Sequence, residues 1–165
     1  MAEFRDPSVL ANYTPAFIGY HGTPNSAATV GTANRAFLIA VTVPASCTVT
    51  GMALSIGVQS GNIDVGLYNS SGTRVASSGS VACPAVSAKA QVSFTSSVAI
   101  GPGVYYLALA CDNITATFSR FGTDVLIGVN HFNTSMPLPT TLTLPGTASS
   151  LPFSLALLVS GGVTQ

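Results

Sequence analysis

Short runs rich in Val, Ile, Thr, Phe and Tyr, separated by Gly, Pro, Asn and Ser, constrain the fold of this sequence most. These residue types favour the pleated sheet, and turn residues that recur about every 8–12 positions are typical of an all-β sandwich or barrel. No window places apolar residues at helical spacing opposite a charged face. The sequence therefore predicts an all-β fold, an antiparallel β-sandwich of jelly-roll type.

Two regions are predicted from the distribution of prolines and apolar runs. Residues 1–34 form an extended N-terminal arm with one short candidate strand near residues 17–20, and residues 35–165 form the sandwich domain. Residues 130–150 contain three prolines and are predicted to be a long surface loop, where binding residues often lie. Strands of the sandwich domain are predicted at residues 36–43, 47–58, 63–68, 74–82, 91–100, 104–111, 115–120, 125–129 and 153–159.

Alternation along these strands predicts which side chains face the core. Residues 69–72, Asn-Ser-Ser-Gly, are predicted to form a hairpin turn in which Gly72 supplies a positive φ. Both faces of residues 104–111 are apolar, which predicts a central strand. Gly51 and Gly57 are predicted to mark a bulge or a close approach of two backbones. The side chains predicted to face the core in two of the strands are Thr50, Met52, Leu54, Ile56, Val58, Ile63, Val65 and Leu67.

Charge is scarce: five basic and five acidic residues cancel to zero net charge. A neutral surface promotes association, so we expect partners, including copies of this chain. The absence of a basic excess argues against nucleic-acid binding, and no apolar stretch approaches the roughly 18 residues of a membrane-spanning helix. The first residues lack the basic start and apolar core of a secretory signal. We therefore expect synthesis in the cytoplasm and no membrane insertion.

No catalytic constellation is evident, and we predict no enzyme, no catalytic residue, no cofactor and no metal site. His21 and His131 are isolated from other potential ligands. Asp64 and Asp112 are conceivable as a glycosidase pair, but an outward-facing strand residue and a turn-stabilising residue are the favoured interpretations. The three cysteines are Cys47, Cys83 and Cys111. They are interpreted as small buried hydrophobic residues; one disulfide with a thiol left over is the alternative, and its pairing stays open.

Exposed aromatic side chains are the remaining candidates for a binding site. Tyr68, Tyr106, Phe121 and Phe132 could stack on a sugar ring, although core or interface packing is the favoured alternative. The candidate ligand-binding residues are His131, Phe132 and Tyr68.

Three segments resemble accessory virion proteins of tailed bacteriophages. In that group a strand of alternating Val, acidic residue and Gly that ends in Tyr runs into a Gly-containing hairpin and a Ser-rich return, as in residues 62–79 (NIDVGLYNSSGTRVASSG). Residues 101–110 (GPGVYYLALA) and 34–44 (NRAFLIAVTVP) look like the same group. These motifs describe strands and turns, and fold alone does not define function.

The resemblance implies a structural virion protein: a head decoration, head fibre or tail fibre domain. The N-terminal arm would attach the sandwich to the particle after synthesis in the bacterial cytoplasm. Partners would be other virion proteins and copies of the chain itself, with a trimer preferred by analogy with viral jelly rolls. The alternative is an adhesin or receptor-binding module whose loop 130–150 recognises a host surface glycan.

Overall fold

The computed structural model describes residues 17–20, 26–120, 129–133, 136–144 and 153–164. Every regular element in these residues is a β-strand, and none of them forms a helix long and apolar enough to cross a membrane. The strands are β1 (Phe17–Tyr20), β2 (Ser26–Ala28), β3 (Arg35–Val43), β4 (Ser46–Val58), β5 (Asn62–Asn69), β6 (Arg74–Ser77), β7 (Val81–Ala82), β8 (Ser87–Ile100), β9 (Gly103–Cys111), β10 (Thr117–Arg120), β11 (Val129–Asn133) and β12 (Leu155–Thr164).

Two antiparallel sheets contain these strands. Sheet A has the order β1-β12-β4-β10-β2, and β8 also pairs with β4. Sheet B has the order β11-β3-β9-β5-β6, and β7 also pairs with β5. The prediction of an all-β, antiparallel fold is confirmed, and the two sheets are consistent with a β-sandwich.

The inner core lies between the sheets and draws side chains from both. Sheet A contributes residues such as Met52, Leu54 and Leu157, and sheet B contributes residues such as Val65 and Leu107. Aromatic rings extend this contact: the Phe153 ring meets Phe37 edge-on at 4.9 Å and Phe118 at 5.9 Å between centroids. Because β3 and β10 belong to different sheets, this aromatic trio joins the two layers.

Period-two alternation holds along β5 and β9. Ile63, Val65 and Leu67 face the inner core as predicted. Strand β9 lies between β3 and β5, so the prediction that residues 104–111 form a central strand is confirmed. At the end of β5 the predicted hairpin also forms, with Gly72 at φ 81° and its N–H donating to the Asn69 carbonyl.

A bulge in β4 changes which of its side chains face the core. The pairing of β4 with β12 skips Thr50, because Leu158 is opposite Gly51 and Val159 is opposite Val49. Met52, Leu54 and Ile56 face the inner core as predicted, but before the bulge Cys47 and Val49 do so. The prediction for Thr50 and Val58 is wrong: Thr50 is half-buried and Val58 is exposed. An extra residue in one strand of a pair turns the side chains on its two sides to opposite faces, which explains the change at Thr50. Val58 keeps the alternation of Ile56, but it is the last residue of β4 and is exposed there.

Several predicted boundaries differ from the structure. Residues 17–20 form a strand as predicted, and Ser26–Ala28 form a second strand that was not predicted; both belong to sheet A. Residues 74–82 form two short strands rather than one, and β8 starts at Ser87. Val129–Asn133 form a strand beside β3, so the prediction of a loop there is wrong. Residues 125–128 and 1–16 lie outside the described residues.

Candidate functional site

The outer face of sheet B carries a second apolar cluster. It forms because β3, β5 and β9 place small or apolar residues at alternate positions on the face away from the inner core. Residues 136–144, which we name the strap, lie across this face; Leu138 is buried in the cluster, and Met136, Leu142 and Leu144 pack against it. The buried members of this outer cluster are Ala36, Leu38, Tyr68, Ala108, Ala110 and Leu138.

Hydrogen bonds attach the strap to β5 and β6. The Tyr68 hydroxyl donates to the Pro139 carbonyl at 2.6 Å. The Arg74 guanidinium donates to the Leu138 carbonyl, and the backbone N–H of Arg74 donates to the Thr140 carbonyl at 2.8 Å. The Leu142 N–H donates to the Gly72 carbonyl at 2.8 Å. The strap therefore satisfies several of its backbone groups without being a regular strand, which its prolines would oppose.

Asp64 lies beneath the strap. Its side chain is 0 % exposed, and its Oδ2 accepts the Leu138 N–H at 2.7 Å. Its Oδ1 lies 3.1 Å from the Ser78 hydroxyl. Burial is the main cause that raises the pKa of Asp64, and the hydrogen bonds from Leu138 and Ser78, the Arg74 charge and the Gly79 N–H lower it in part. Asp64 points away from the inner core, as expected for an outward-facing strand residue, but the strap covers it and shields it from solvent.

Tyr68 is the only one of the three candidate ligand-binding residues with a described side chain. It is fully buried, and burial raises the pKa of its hydroxyl. Tyr68 is therefore not an exposed ring that could stack on a sugar, and the favoured interpretation of core packing is confirmed for this residue, because the ring packs under the strap. Tyr106, its register partner on β9, is half-buried against the same cluster.

His131 and Phe132 lie on β11 at the edge of sheet B. In the register with β3, His131 is opposite Phe37 and Phe132 is opposite Ala36. Their strand thus borders the outer face on which Tyr68 lies, although β3 and β9 separate it from β5. A ligand-binding role for His131 and Phe132 stays a prediction. Phe121, the remaining aromatic candidate, and His21 lie outside the described residues.

Asp112 is the other carboxylate in the described part of the chain, and it fixes the turn after β9. Its Oδ1 accepts the Asn62 N–H at 2.9 Å and the Asn113 amide at 2.8 Å, and its Oδ2 accepts the Asn62 amide at 2.8 Å. The hydrogen bond from Asn113, followed by that from the Asn62 N–H, lowers the pKa of Asp112. This geometry matches the predicted turn-stabilising role. Since Asp64 is closed to solvent, the two carboxylates do not form an open glycosidase pair.

Cys47, Cys83 and Cys111 are free and buried. Burial raises the pKa of all three thiols, so they are protonated at neutral pH and behave as small apolar side chains. This confirms the interpretation from the sequence. Among the described residues, no group of three His, Cys, Asp or Glu side chains could hold a metal ion.

Sequence reasoning did not identify the strap, Arg74 or Leu138 as parts of one site. The sequence does contain an indication that the strap is covered, because its residues, MPLPTTLTL, are all uncharged and include three leucines. Such a segment is unsuited to full exposure, and a carboxylate on the otherwise apolar strand β5 was a suitable acceptor for its backbone. The partner could not be chosen, since Asp64 and Leu138 are 74 residues apart.

The site holds backbone in place rather than presenting reactive groups. Asp64, Tyr68 and Arg74 all direct polar atoms at the backbone of the strap.

Comparisons of the chain with protein-family models, with curated proteins and with solved structures found no match.

Proposed function

We propose that this chain is a structural virion protein of a tailed bacteriophage, a head decoration, head fibre or tail fibre domain without enzymatic activity. The observation that supports this proposal most is a surface that is poor in charge and exposes large apolar side chains. In the described residues these are Phe17, Val58, Val86, Val104 and Ile114. Such a surface favours contacts with other proteins. The sequence resemblance to phage virion proteins supports the same class.

The proposal includes a jelly-roll sandwich, self-association with a trimer preferred, and attachment through the N-terminal arm. Both carboxylates of the described residues serve the fold, which fits a protein whose role is to be rigid. Internal hydrogen bonds hold the strap and the Asp112 turn in place, so these segments can form preformed surfaces for partners.

One end of the sandwich is the best candidate for contact between copies. Val58 is the last residue of β4. Val86 comes directly before Ser87, which is the register partner of Ile56 on β4. Ile114 lies just before β10, and Thr117 of β10 is the register partner of Val58. Adjacent strands are about 5 Å apart, so the three apolar residues flank the same strand end. The Gln59 amide, which donates to the Cys83 carbonyl at 2.8 Å, holds the neighbouring turns together. Zero net charge means that copies do not repel one another.

Val86→Lys is therefore expected to weaken self-association by at least about tenfold in the dissociation constant, because burial of a valine contributes roughly 1.5–3 kcal/mol. Val86 is 63 % exposed, so the fold should tolerate the change. Val104→Lys is the matched control: Val104 is 47 % exposed and pairs with Thr42 at the opposite end. Sedimentation velocity over a concentration series measures both. Equal weakening by the two variants, or a monomeric wild type, would contradict the prediction.

Attachment to the particle is tested by removing residues 1–15. The deletion ends before β1, so every described strand is retained. We expect the truncated chain to keep its thermal unfolding transition and to be lost from density-gradient-purified particles, as measured by quantitative mass spectrometry. Phe132→Ala is the comparison variant and should still be incorporated. If the truncated chain is incorporated and a glycan-array signal disappears in Phe132→Ala, the adhesin alternative is favoured and the virion proposal is wrong about the arm.

A further inference from the structure

The buried carboxyl group of Asp64 joins two structural units, β5 and the strap, and the proposed function uses it only as a structural group, not as a titrating one. The strap contributes no titratable side chain of its own, since residues 136–144 are Met, Pro, Leu and Thr. The titratable groups described near Asp64 are Tyr68 on the same strand and Arg74 on β6. Among the titratable groups that the structure describes, Asp64 is therefore the one whose ionisation would affect the attachment of the strap below the alkaline range in which Tyr68 ionises.

The hydrogen-bond geometry around Asp64 suits a neutral carboxylic acid. The Ser78 hydroxyl lies 3.1 Å from Asp64 Oδ1 and 2.9 Å from the Gly79 carbonyl, and it accepts the Val65 N–H at 3.0 Å. A hydroxyl has one proton, so it can serve one of these two acceptors. If Asp64 is ionised, either Oδ1 or the Gly79 carbonyl loses this donor.

A protonated Asp64 resolves the conflict. In that state the Oδ1–H would donate to the Ser78 oxygen, which reverses the bond from the Ser78 hydroxyl to Oδ1. The Ser78 hydroxyl would then donate only to the Gly79 carbonyl, and Oδ2 would still accept the Leu138 N–H at 2.7 Å. Burial acts in the same direction, because it disfavours the charged form. The hydrogen bonds from the Leu138 N–H and the Ser78 hydroxyl, the Arg74 charge and the Gly79 N–H oppose this effect in part, and burial outweighs them. The Arg74 guanidinium also donates to the Leu138 carbonyl.

We propose that the strap is a latch that opens from sheet B while the sandwich stays folded, and that ionisation of Asp64 loosens it. Opening would hydrate the carboxylate and uncover the apolar outer face of sheet B. This inference is independent of the proposed function, because it concerns the strap and not the surface that meets a particle.

The sign follows from the two states of the strap. When the strap is closed, the pKa of Asp64 is raised. When the strap is open, the pKa of Asp64 has the ordinary value of an exposed carboxyl. Protonation therefore favours the closed strap. The stabilisation is fully present below the ordinary carboxyl pKa and is lost as pH rises through the raised value. Within that window the ratio of closed to open strap falls by up to about tenfold per pH unit.

Amide hydrogen exchange measured by NMR tests the proposal. The protection factor corrects the observed exchange rate for the intrinsic base-catalysed rate. The protection factor of the Leu138 N–H should fall with rising pH, while the protection factors of the β9 amides should not change. The chemical shift of the Asp64 carboxyl carbon should change with a midpoint above the ordinary carboxyl range. Equal protection of Leu138 and β9 at every pH, or a pH-independent Leu138 value, would overturn the latch.

Asp64→Asn distinguishes a neutral acid from a buried anion. The amide is uncharged and retains an oxygen for the Leu138 N–H and a donor for Ser78, so we expect a strap that stays closed at all pH values. Asp112→Asn is the control and should keep the pH response of the wild type. A tenfold or greater loss of Leu138 protection in Asp64→Asn, with β9 unchanged, would show that the anion holds the strap and would refute the proposal. If Asp64→Asn does not fold, the wild-type titration and exchange data decide.

Discussion

Phe153→Ala is expected to lower the free energy of unfolding by about 3–5 kcal/mol. The ring is 2 % exposed, and it contacts Phe37 of sheet B and Phe118 of sheet A edge-on. Truncation leaves a cavity at the junction of the two sheets and removes both aromatic contacts, each worth about 0.5–1.5 kcal/mol beyond area burial. Because domains are stabilised by only about 5–15 kcal/mol in total, the loss is a large fraction of the stability.

Denaturant unfolding measures this effect, with the m-value as a check that the unfolded state is unchanged. Phe153→Leu is the matched control, since leucine retains much of the buried apolar area; it should cost less than half as much. A Phe153→Ala variant within about 1 kcal/mol of the wild type would mean that the two sheets do not depend on this ring.

Gly51→Ala should be the second severe substitution. A Cβ at Gly51 would lie 2.3 Å from the Val92 carbonyl oxygen and 2.9 Å from the Ser93 Cα. Both neighbours are backbone atoms of β8, so β4 and β8 must separate at the bulge. We expect a loss of roughly 3 kcal/mol or more in the free energy of unfolding, at the upper end of overpacking effects.

Gly101→Ala is the control for this prediction. A Cβ at Gly101 would lie in open space, and this residue is not among the glycines with positive φ. Alanine there should change stability by less than about 0.5 kcal/mol, or increase it slightly by restricting the unfolded chain. Thermal unfolding followed by circular dichroism compares the two variants. Equal melting temperatures for both would contradict the role assigned to Gly51.

The sequence allowed the local features of the fold to be predicted. Alternation along β5 and β9 depends on neighbouring residues alone, so Ile63, Val65 and Leu67 were assigned to the core correctly. The bulge at Gly51 was anticipated as a possibility, but its effect on Cys47 and Val49 was not, because it depends on the pairing with β12. A shift of register cannot be deduced from one strand without its partner.

The candidate site was harder to predict, because burial of its polar residues is decided by a distant segment. Asp64 and Tyr68 alternate with apolar residues, and that pattern normally indicates a solvent-facing side. The strap reverses the outcome by supplying donors and acceptors from Leu138 and Pro139. A buried polar group is tolerated where it is hydrogen-bonded, but its partners cannot be read from the local pattern.

The position of β12 in sheet A has a consequence for the order of events during synthesis. β12 lies between β1 and β4, so Leu155 pairs both with Tyr20 and with Leu54. While the ribosome is still translating the region before residue 155, β1 has no neighbour from β12 and one edge of β4 is open over most of its length. Open edges recruit other chains. The nascent protein is therefore most prone to aggregate just before its last described strand emerges, and chaperone demand should peak at that stage.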